Sequence, residues 1–515
     1  MHNVFLDDFI FERALLDPGS VAFRFEGEVL TYSHLADRAK RFAGFIKSET
    51  RHSGHVRVGI CMAKCLDMPV AVYGALAAGA SYVPLDPTAP VARTVAVSTQ
   101  SALDFIVLGA TATDRCAELM KALPEARILV VGNDAERDSE LLDFRVIASS
   151  FEPRERDLAS RDTNDEAYVI FSSGSTGIPK GIIHSHKSAC AYANMSAELY
   201  ALADSDCMAS VTPLHFDMST FEMFSGPSRG ASTVLVPESV AALPASLARV
   251  LETEQCTILY AVPFSLIQLL EKGAIEQCDL HALRWIIHGG EPMAPSAIAK
   301  LQRILPGTRF SNSYGPAEVN QVTYFNYPEA AIDESRPVPI GSPCKDVIVE
   351  IDDTTGELLV ASPTMMKGYL GRSSDAECGI VSLMVDTMRQ ARFYRTGDIV
   401  SVNSDGHLVF RGRADRQAKV RGYRIELDEI EMALGSHEDV VEAAAIVSAD
   451  GQSVEAFVRV GEKAEFVVGE LIAHLRKRLP RYAIPKTVKV LDEFPRTTSG
   501  KIDRKCLTGK GYEND

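Results

Sequence analysis

Short apolar runs alternate with helical stretches through much of this chain, and no other feature limits its fold so tightly. Val56–Met62 precedes Met68–Ala80, Asp104–Leu108 precedes Thr113–Leu123, and Arg127–Val131 follows. Further on, Thr257–Val262 precedes Phe264–Lys272, and Leu283–Ile287 precedes Pro295–Leu305. Strand then helix, repeated, predicts an α/β chain of parallel sheets with crossover helices. From Arg336 the pattern changes to short strands broken by Gly and Asp, as in GELLVAS and DIVSVNSDGHLVF, which predicts an antiparallel or barrel-like piece. A charged segment, GRADRQAKVRGYRIELDEIE (412–431), opens a last stretch with strand candidates at Val441–Val447, Val454–Val460 and Thr487–Leu491. Leu471, Ile472, Leu475 and Leu479 share one helical face within it. The expected organisation is a large N-terminal region, 1–411, and a small α+β domain, 412–515.

The 515 residues carry a net charge of −16, with acids spread along the chain. A nucleic-acid or anionic-membrane partner asks for a basic surface, so this balance argues against both. Ten cysteines are scattered without a CxxC pair, which fits free thiols in a reducing compartment. The opening residues, MHNVFLDDFIFERALLD, place acids among apolar side chains, unlike a signal peptide. The weakly polar run Pro69–Leu85 is too short and broken to cross a bilayer. A cytoplasmic location is the expectation.

The stretch FSSGSTGIPKG (171–181) follows the apolar run Ala167–Ile170. Backbone amides of such a turn can form an anion-binding nest, its hydroxyls add donors without bulk, and Lys180 adds charge. It lacks the Gly-Lys-Ser/Thr ending of the common nucleotide loop. Composition alone also suits a flexible surface turn. The preceding strand, the Ile178-Pro179 pair and the lysine favour phosphate.

Taken with its approach, AYVIFSSGSTGIPKG resembles the phosphate loop of the adenylate-forming enzymes: acyl- and aryl-CoA synthetases, luciferases and the adenylation domains of nonribosomal peptide synthetases. LTYSHLADRA (30–39), LAAGASYVPLD (76–86), NSYGPAE (312–318), YRTGD (394–398), the 412–431 segment, LPRYAIP (479–485) and TTSGKIDR (497–504) are similar to that family's motifs and stand in its order. The resemblance implies a large two-sheet α/β N-terminal domain with a small β-barrel-like piece, then a small mobile α+β C-terminal domain. It also implies a reaction: a carboxylate attacks the α-phosphate of ATP, pyrophosphate leaves, and an acyl-adenylate remains. Charge builds on phosphate, so the site needs cations and preorganised donors.

By that resemblance Ser172, Ser173, Gly174, Ser175, Thr176, Gly177 and Lys180 hold the β- and γ-phosphates. Glu318, with Thr176, holds Mg2+, a hard ion that takes oxygen ligands. Tyr314 and Gly315 meet the adenine, with Asn312 near its amino edge. Asp398 accepts both ribose hydroxyls, as one carboxylate can, and Arg413 lies near ribose and phosphate. Lys501 reaches from the small domain to the carboxylate, the α-phosphate and the ribose; a flexible ammonium with three donors suits that bridge. Asp415 sits where family members pivot the small domain between adenylation and thiol transfer.

PLHFDMSTFEMF (213–224) bears on the acid being activated. Asp217 after Phe216 resembles the aspartate that pairs with the substrate ammonium in peptide-synthetase adenylation domains. A carboxylate among apolar neighbours is costly unless a cation answers it. The alternative is an N-cap for a helix beginning near Ser219. Resemblance places Phe216, Met218, Phe221, Phe264, Ile286, His288, Gly289, Ser313, Gln321 and Val322 around the same pocket. That set suits a neutral, mainly apolar amino acid, with His288 equally able to be a packed neutral histidine. IIHGGEP and YGPAEVNQ look most like free-standing amino acid–carrier protein ligases, and the chain shows no Gly-Gly-x-Ser-like phosphopantetheine site of its own. The expected partner is therefore a separate acyl or peptidyl carrier protein with a phosphopantetheine arm. The competing readings are a CoA ligase for an acid lacking an amine and a non-catalytic ATP-binding scaffold.

Overall fold

The computed structural model describes residues 5–132, 141–156, 160–172, 179–328, 332–385, 390–461, 466–496 and 502–507. The alternation read in the sequence becomes two large sheets. A nine-stranded sheet runs in the order Ser342–Pro343, Thr323–Asn326, Arg309–Tyr314, Trp285–Gly289, Ile258–Ala261, Cys207–Ser210, Ser232–Leu235, Val21–Phe25 and Glu28–Thr31. Its centre is parallel, from Arg309–Tyr314 across to Val21–Phe25, and antiparallel strands finish both edges. An eight-stranded sheet carries Ser81–Pro84, Arg57–Cys61, Phe105–Leu108 and Arg127–Val130 side by side in parallel.

Crossover helices follow the strands as the periodicity predicts. Asp67–Ala77, Pro263–Lys272 and Pro295–Ile304 are helical, and the last two begin with proline, whose fixed φ and missing donor suit a first turn. Asp67–Ala77 is buried along its whole length. The stretch after Phe105–Leu108 starts as a 3-10 turn, Ala110–Arg115, before becoming the helix Cys116–Ala122. Past Arg336 the antiparallel expectation holds. Ile348–Ile351, Glu357–Ala361, Gln390–Val402, Ile380–Met384 and Leu408–Arg413 form a five-stranded antiparallel sheet.

The chain divides into two compact units, one of Met1–Pro87, Ser98–Ile170 and Gly181–Ala414, the other of Thr88–Val97, Phe171–Lys180 and Asp415–Asp515. The second unit contains a hairpin, Gln417–Val420 with Tyr423–Glu426, turned by Arg421 at φ 53° and Gly422 at φ 84°. Two left-handed residues in a row give the turn whose twist matches the flanking strands. The helix Leu427–Gly435 then packs on the antiparallel pair Val440–Val447 and Val454–Val460, which Thr487–Val490 joins in parallel. Ile425, Ile430, Leu434, Val458, Leu471 and Leu475 close this smaller α+β core. Among the described residues no helix is long and apolar enough to cross a membrane.

Candidate functional site

In an open parallel sheet, ligands bind outside the carboxyl ends of the strands. Here those ends belong to Ile258–Ala261, Trp285–Gly289 and Arg309–Tyr314, with Gly289 opposite Ser313. Gly289 is required by close approach: a Cβ there would lie 2.4 Å from the Ser313 carbonyl oxygen and 3.1 Å from the Tyr260 hydroxyl. Gly315 is tighter still, since its Cβ would fall 1.5 Å from the Asn320 carbonyl oxygen.

Three residues expected at the nucleotide come together around one carboxylate. Tyr314 donates its hydroxyl to Asp398 Oδ2 at 2.5 Å, and Arg413 Nη1 donates to Oδ1 at 2.6 Å. Asp398 and Arg413 face each other across neighbouring strands. The Asp398 amide donates to Thr396 Oγ1 at 3.0 Å. Burial, and then the Asp398 charge, pushes the Tyr314 phenol far above its ordinary pKa, so it remains a neutral donor. Asn312 is buried and donates its amide to the Pro339 carbonyl at 2.8 Å.

Glu318 is fully buried and accepts a hydrogen bond from the Tyr369 hydroxyl at 2.8 Å. Beside it, His184 Nε2 donates to the Ala317 carbonyl at 2.9 Å, and burial pulls that imidazole down to about 4, so it is neutral at pH 7. One carboxylate fits Mg2+, which is usually held through one or two carboxylates plus substrate phosphates. Among the described residues no group of three or more His, Cys, Asp or Glu gathers, so Glu318 is not part of an all-protein cage there. Ser172 ends the strand Glu166–Ser172, and its buried hydroxyl has no hydrogen-bond partner among the described residues. Lys180 opens the strand Lys180–Ser185. Ser173, Gly174, Ser175, Thr176, Gly177 and Lys501 lie outside the described residues.

Asp217 is half-buried and leads into a π-helical turn, Phe221–Ser225, a form often found at functional sites. Its Oδ1 accepts from the adjacent Met218 amide at 3.0 Å. Burial above all, with the Asp217 charge adding to it, raises the phenols of Tyr168, Tyr192 and Tyr260. The carboxylate is thus within electrostatic reach of a wall of buried tyrosines. Phe221 meets Tyr260 edge-on at 5.4 Å and Tyr200 at 5.8 Å. Met218 packs against the same cluster. Ser313 accepts from the Tyr260 hydroxyl at 3.3 Å, and Gln321 donates to the Tyr200 hydroxyl at 3.0 Å. Phe216 stacks obliquely on His215, and Phe264 sits half-buried near the start of its helix.

The structure separates Ile286 and His288 from that wall. Side chains alternate along a strand, and Ile287, two residues before Gly289, is the one that packs with Phe221 and Tyr260. Ile286 turns to the opposite face with Leu259, Phe310 and Tyr327. His288 follows it, hydrogen-bonded through Nε2 to the Tyr327 hydroxyl at 2.8 Å, and burial lowers it to about 3, so it is a neutral packed histidine. Val322 belongs to the core around Tyr314 and Val319. Tyr260 and Ile287, which the sequence did not single out, join Phe221 in the cluster of that tyrosine wall. Stepping back in twos from Gly289 would have found Ile287.

Residues 10–370 match the model of the AMP-binding enzyme, and residues 429–501 that of the AMP-binding enzyme C-terminal domain. The chain is 31% identical to an L-proline–[L-prolyl-carrier protein] ligase of Pseudomonas fluorescens, over 95% of this chain and 96% of that one. It is 32% identical to zwittermicin A synthase ZmaJ of Bacillus cereus, over 98% of this chain and 94% of the relative. Among solved structures, the amide bond synthetase McbA from Marinactinospora thermotolerans superposes with a TM-score of 0.84 at 25% identity, covering 98% of this chain and 99% of that one.

Proposed function

The chain belongs to the AMP-binding enzyme family, and from that premise we propose that it activates a neutral, mainly apolar amino acid with ATP and passes it to a separate carrier protein. A carboxylate oxygen of the amino acid bonds to the α-phosphorus as the bond to pyrophosphate breaks, giving an aminoacyl-adenylate. A phosphopantetheine thiol of the carrier then bonds to the carbonyl carbon and expels AMP, leaving a thioester. The similarity to a proline–carrier protein ligase supports the carrier as acceptor.

Asp398 with Tyr314 and Arg413 is suited to the ribose and adenine end of ATP. Lys180 and Ser172 belong to the phosphate loop. Glu318 would hold Mg2+, which when bound screens the charge of the phosphates. Lys501 is assigned to the transferring centre by its motif alone. The observation that carries the choice of an amino acid is that Asp217, half-buried next to Met218, has its charge felt by the buried phenols of Tyr192 and Tyr260. An acid in an aromatic wall is best answered by an ammonium, while that wall leaves apolar surface for the side chain.

The test is ATP–pyrophosphate exchange over neutral α-, β- and D-amino acids and proline, beside the same acids without the amine. Wild type should exchange only with amine-bearing acids. Asp217→Ala should lose ~3–5 kcal/mol of kcat/KM for them, as when one partner of a buried ion pair is removed. Equal exchange with deaminated acids would overturn the amino acid assignment and favour a CoA ligase.

A further inference from the structure

Glu431 lies on the helix Leu427–Gly435 of the smaller unit, and two arginines from distant stretches meet on its carboxylate. Arg416 donates from Nη1 to Oε2 at 3.0 Å and from Nη2 to Oε1 at 2.7 Å. Arg504 donates from Nε to Oε1 at 3.1 Å and from Nη2 to Oε2 at 2.7 Å. The Ala445 amide adds a fifth hydrogen bond, to Oε1 at 2.7 Å. The Glu431 side chain is 14% exposed. Burial pushes its pKa up, but the bonds from Arg416 and Arg504 outweigh that and hold it below the ordinary value.

Stability alone does not call for this arrangement, because apolar residues of similar volume often serve as well as a buried ion pair. What two planar guanidinium forks supply is direction. Arg416 follows Asp415, whose Oδ1 accepts from the Gln417 amide at 3.1 Å. Arg504 follows the segment that carries Lys501. On either side of that segment Arg496 and Ile502 form an antiparallel bridge, and the Asp503 amide donates to the Pro495 carbonyl at 2.7 Å. Ile502 packs against Phe457, Leu491 and Phe494.

We propose that Glu431 is a positioning residue for adenylation. It fixes Arg504, and with it the base of the Lys501 segment, to Arg416 beside Asp415, so that lysine and pivot are carried as one piece. The inference rests on the role of Lys501 proposed above. It adds that a carboxylate remote in sequence from that lysine sets the lysine's aim.

The experiment measures pyrophosphate exchange by the full chain carrying Glu431→Gln, alone and combined with Lys501→Ala. Alone, Glu431→Gln should lower kcat ~10-fold through a small misplacement of the lysine. The KM values for ATP and amino acid should stay within about twofold, the range of independent sites. In the Lys501→Ala background the same change should cost less than about twofold. An equal loss in both backgrounds, or no loss in wild type, overturns the proposal. A wild-type rate in Lys501→Ala alone would instead remove the premise about that lysine, a separate outcome. Should Glu431→Gln not fold, Arg504→Lys, which keeps the charge and loses the fork, is crossed with Lys501→Ala under the same expectations.

Discussion

Tyr314 and Asp398 are 84 residues apart in sequence and share a hydrogen bond of 2.5 Å, which makes the carboxylate the common acceptor of two motifs. Arg413 takes its other oxygen. Asp398→Ala removes the acceptor oxygens of both Tyr314 and Arg413. The expected result is a rise in the KM for ATP of ~10–100-fold, from the loss of ~1.5–3 kcal/mol per charged hydrogen bond, with the amino acid KM little changed. Exchange kinetics over a range of ATP concentrations check it, and an unchanged ATP KM would count against the nucleotide assignment.

Lys501→Ala should lower the adenylation rate ~10²–10³-fold, as when one transition-state donor is removed. Binding of the amino acid, followed by calorimetry, should change far less. A variant that adenylates at the wild-type rate would refute the role.

Tyr260 is buried against Phe221 and donates to Ser313. Tyr260→Phe removes the hydroxyl alone and should change kcat/KM by no more than about 1.5 kcal/mol, the worth of one neutral hydrogen bond. Tyr260→Ala opens space in the wall, and the exchange panel should shift towards bulkier amino acids. An unaltered preference would place the substrate elsewhere.

His288 gives the pH dependence of stability a definite sign. It is neutral in the fold, with burial lowering it to about 3. Between about pH 6.5 and that value the unfolded chain binds a proton that the native state refuses. Stability contributed by His288 is therefore present above pH 6.5 and lost as pH falls, by ~1.4 kcal/mol per pH unit for one proton. Urea unfolding of wild type and His288→Gln at pH 7 and pH 5 checks it. The difference in stability between the two should move against wild type at the lower pH.

Tyr314, Glu318, Asp398 and Arg413 were legible as candidates because each stands in a short motif, whereas the meeting of Tyr314 and Arg413 on Asp398 was not, since it joins stretches far apart in the chain. The strand-and-helix order was legible too, since apolar periodicity reports which face of each element is buried. The wall around Asp217 was harder. A strand turns successive side chains to opposite faces, so Ile287 packs with Phe221 and Tyr260 while Ile286 and His288 face the other way, a division that depends on which face of the sheet each layer covers.

By itself, then, the order of residues determined the α/β alternation, the family's motifs and the kinds of group available to ATP, all of which are properties of neighbours along the chain. Tertiary structure alone decided that Tyr260 stands over Ser313, that Ile287 faces Phe221, and that Arg416 and Arg504 grip one carboxylate. Those relations depend on strand register and on helices returning over long sequence distances, and the free energy that selects them comes from burial summed over the whole core rather than from any local stretch.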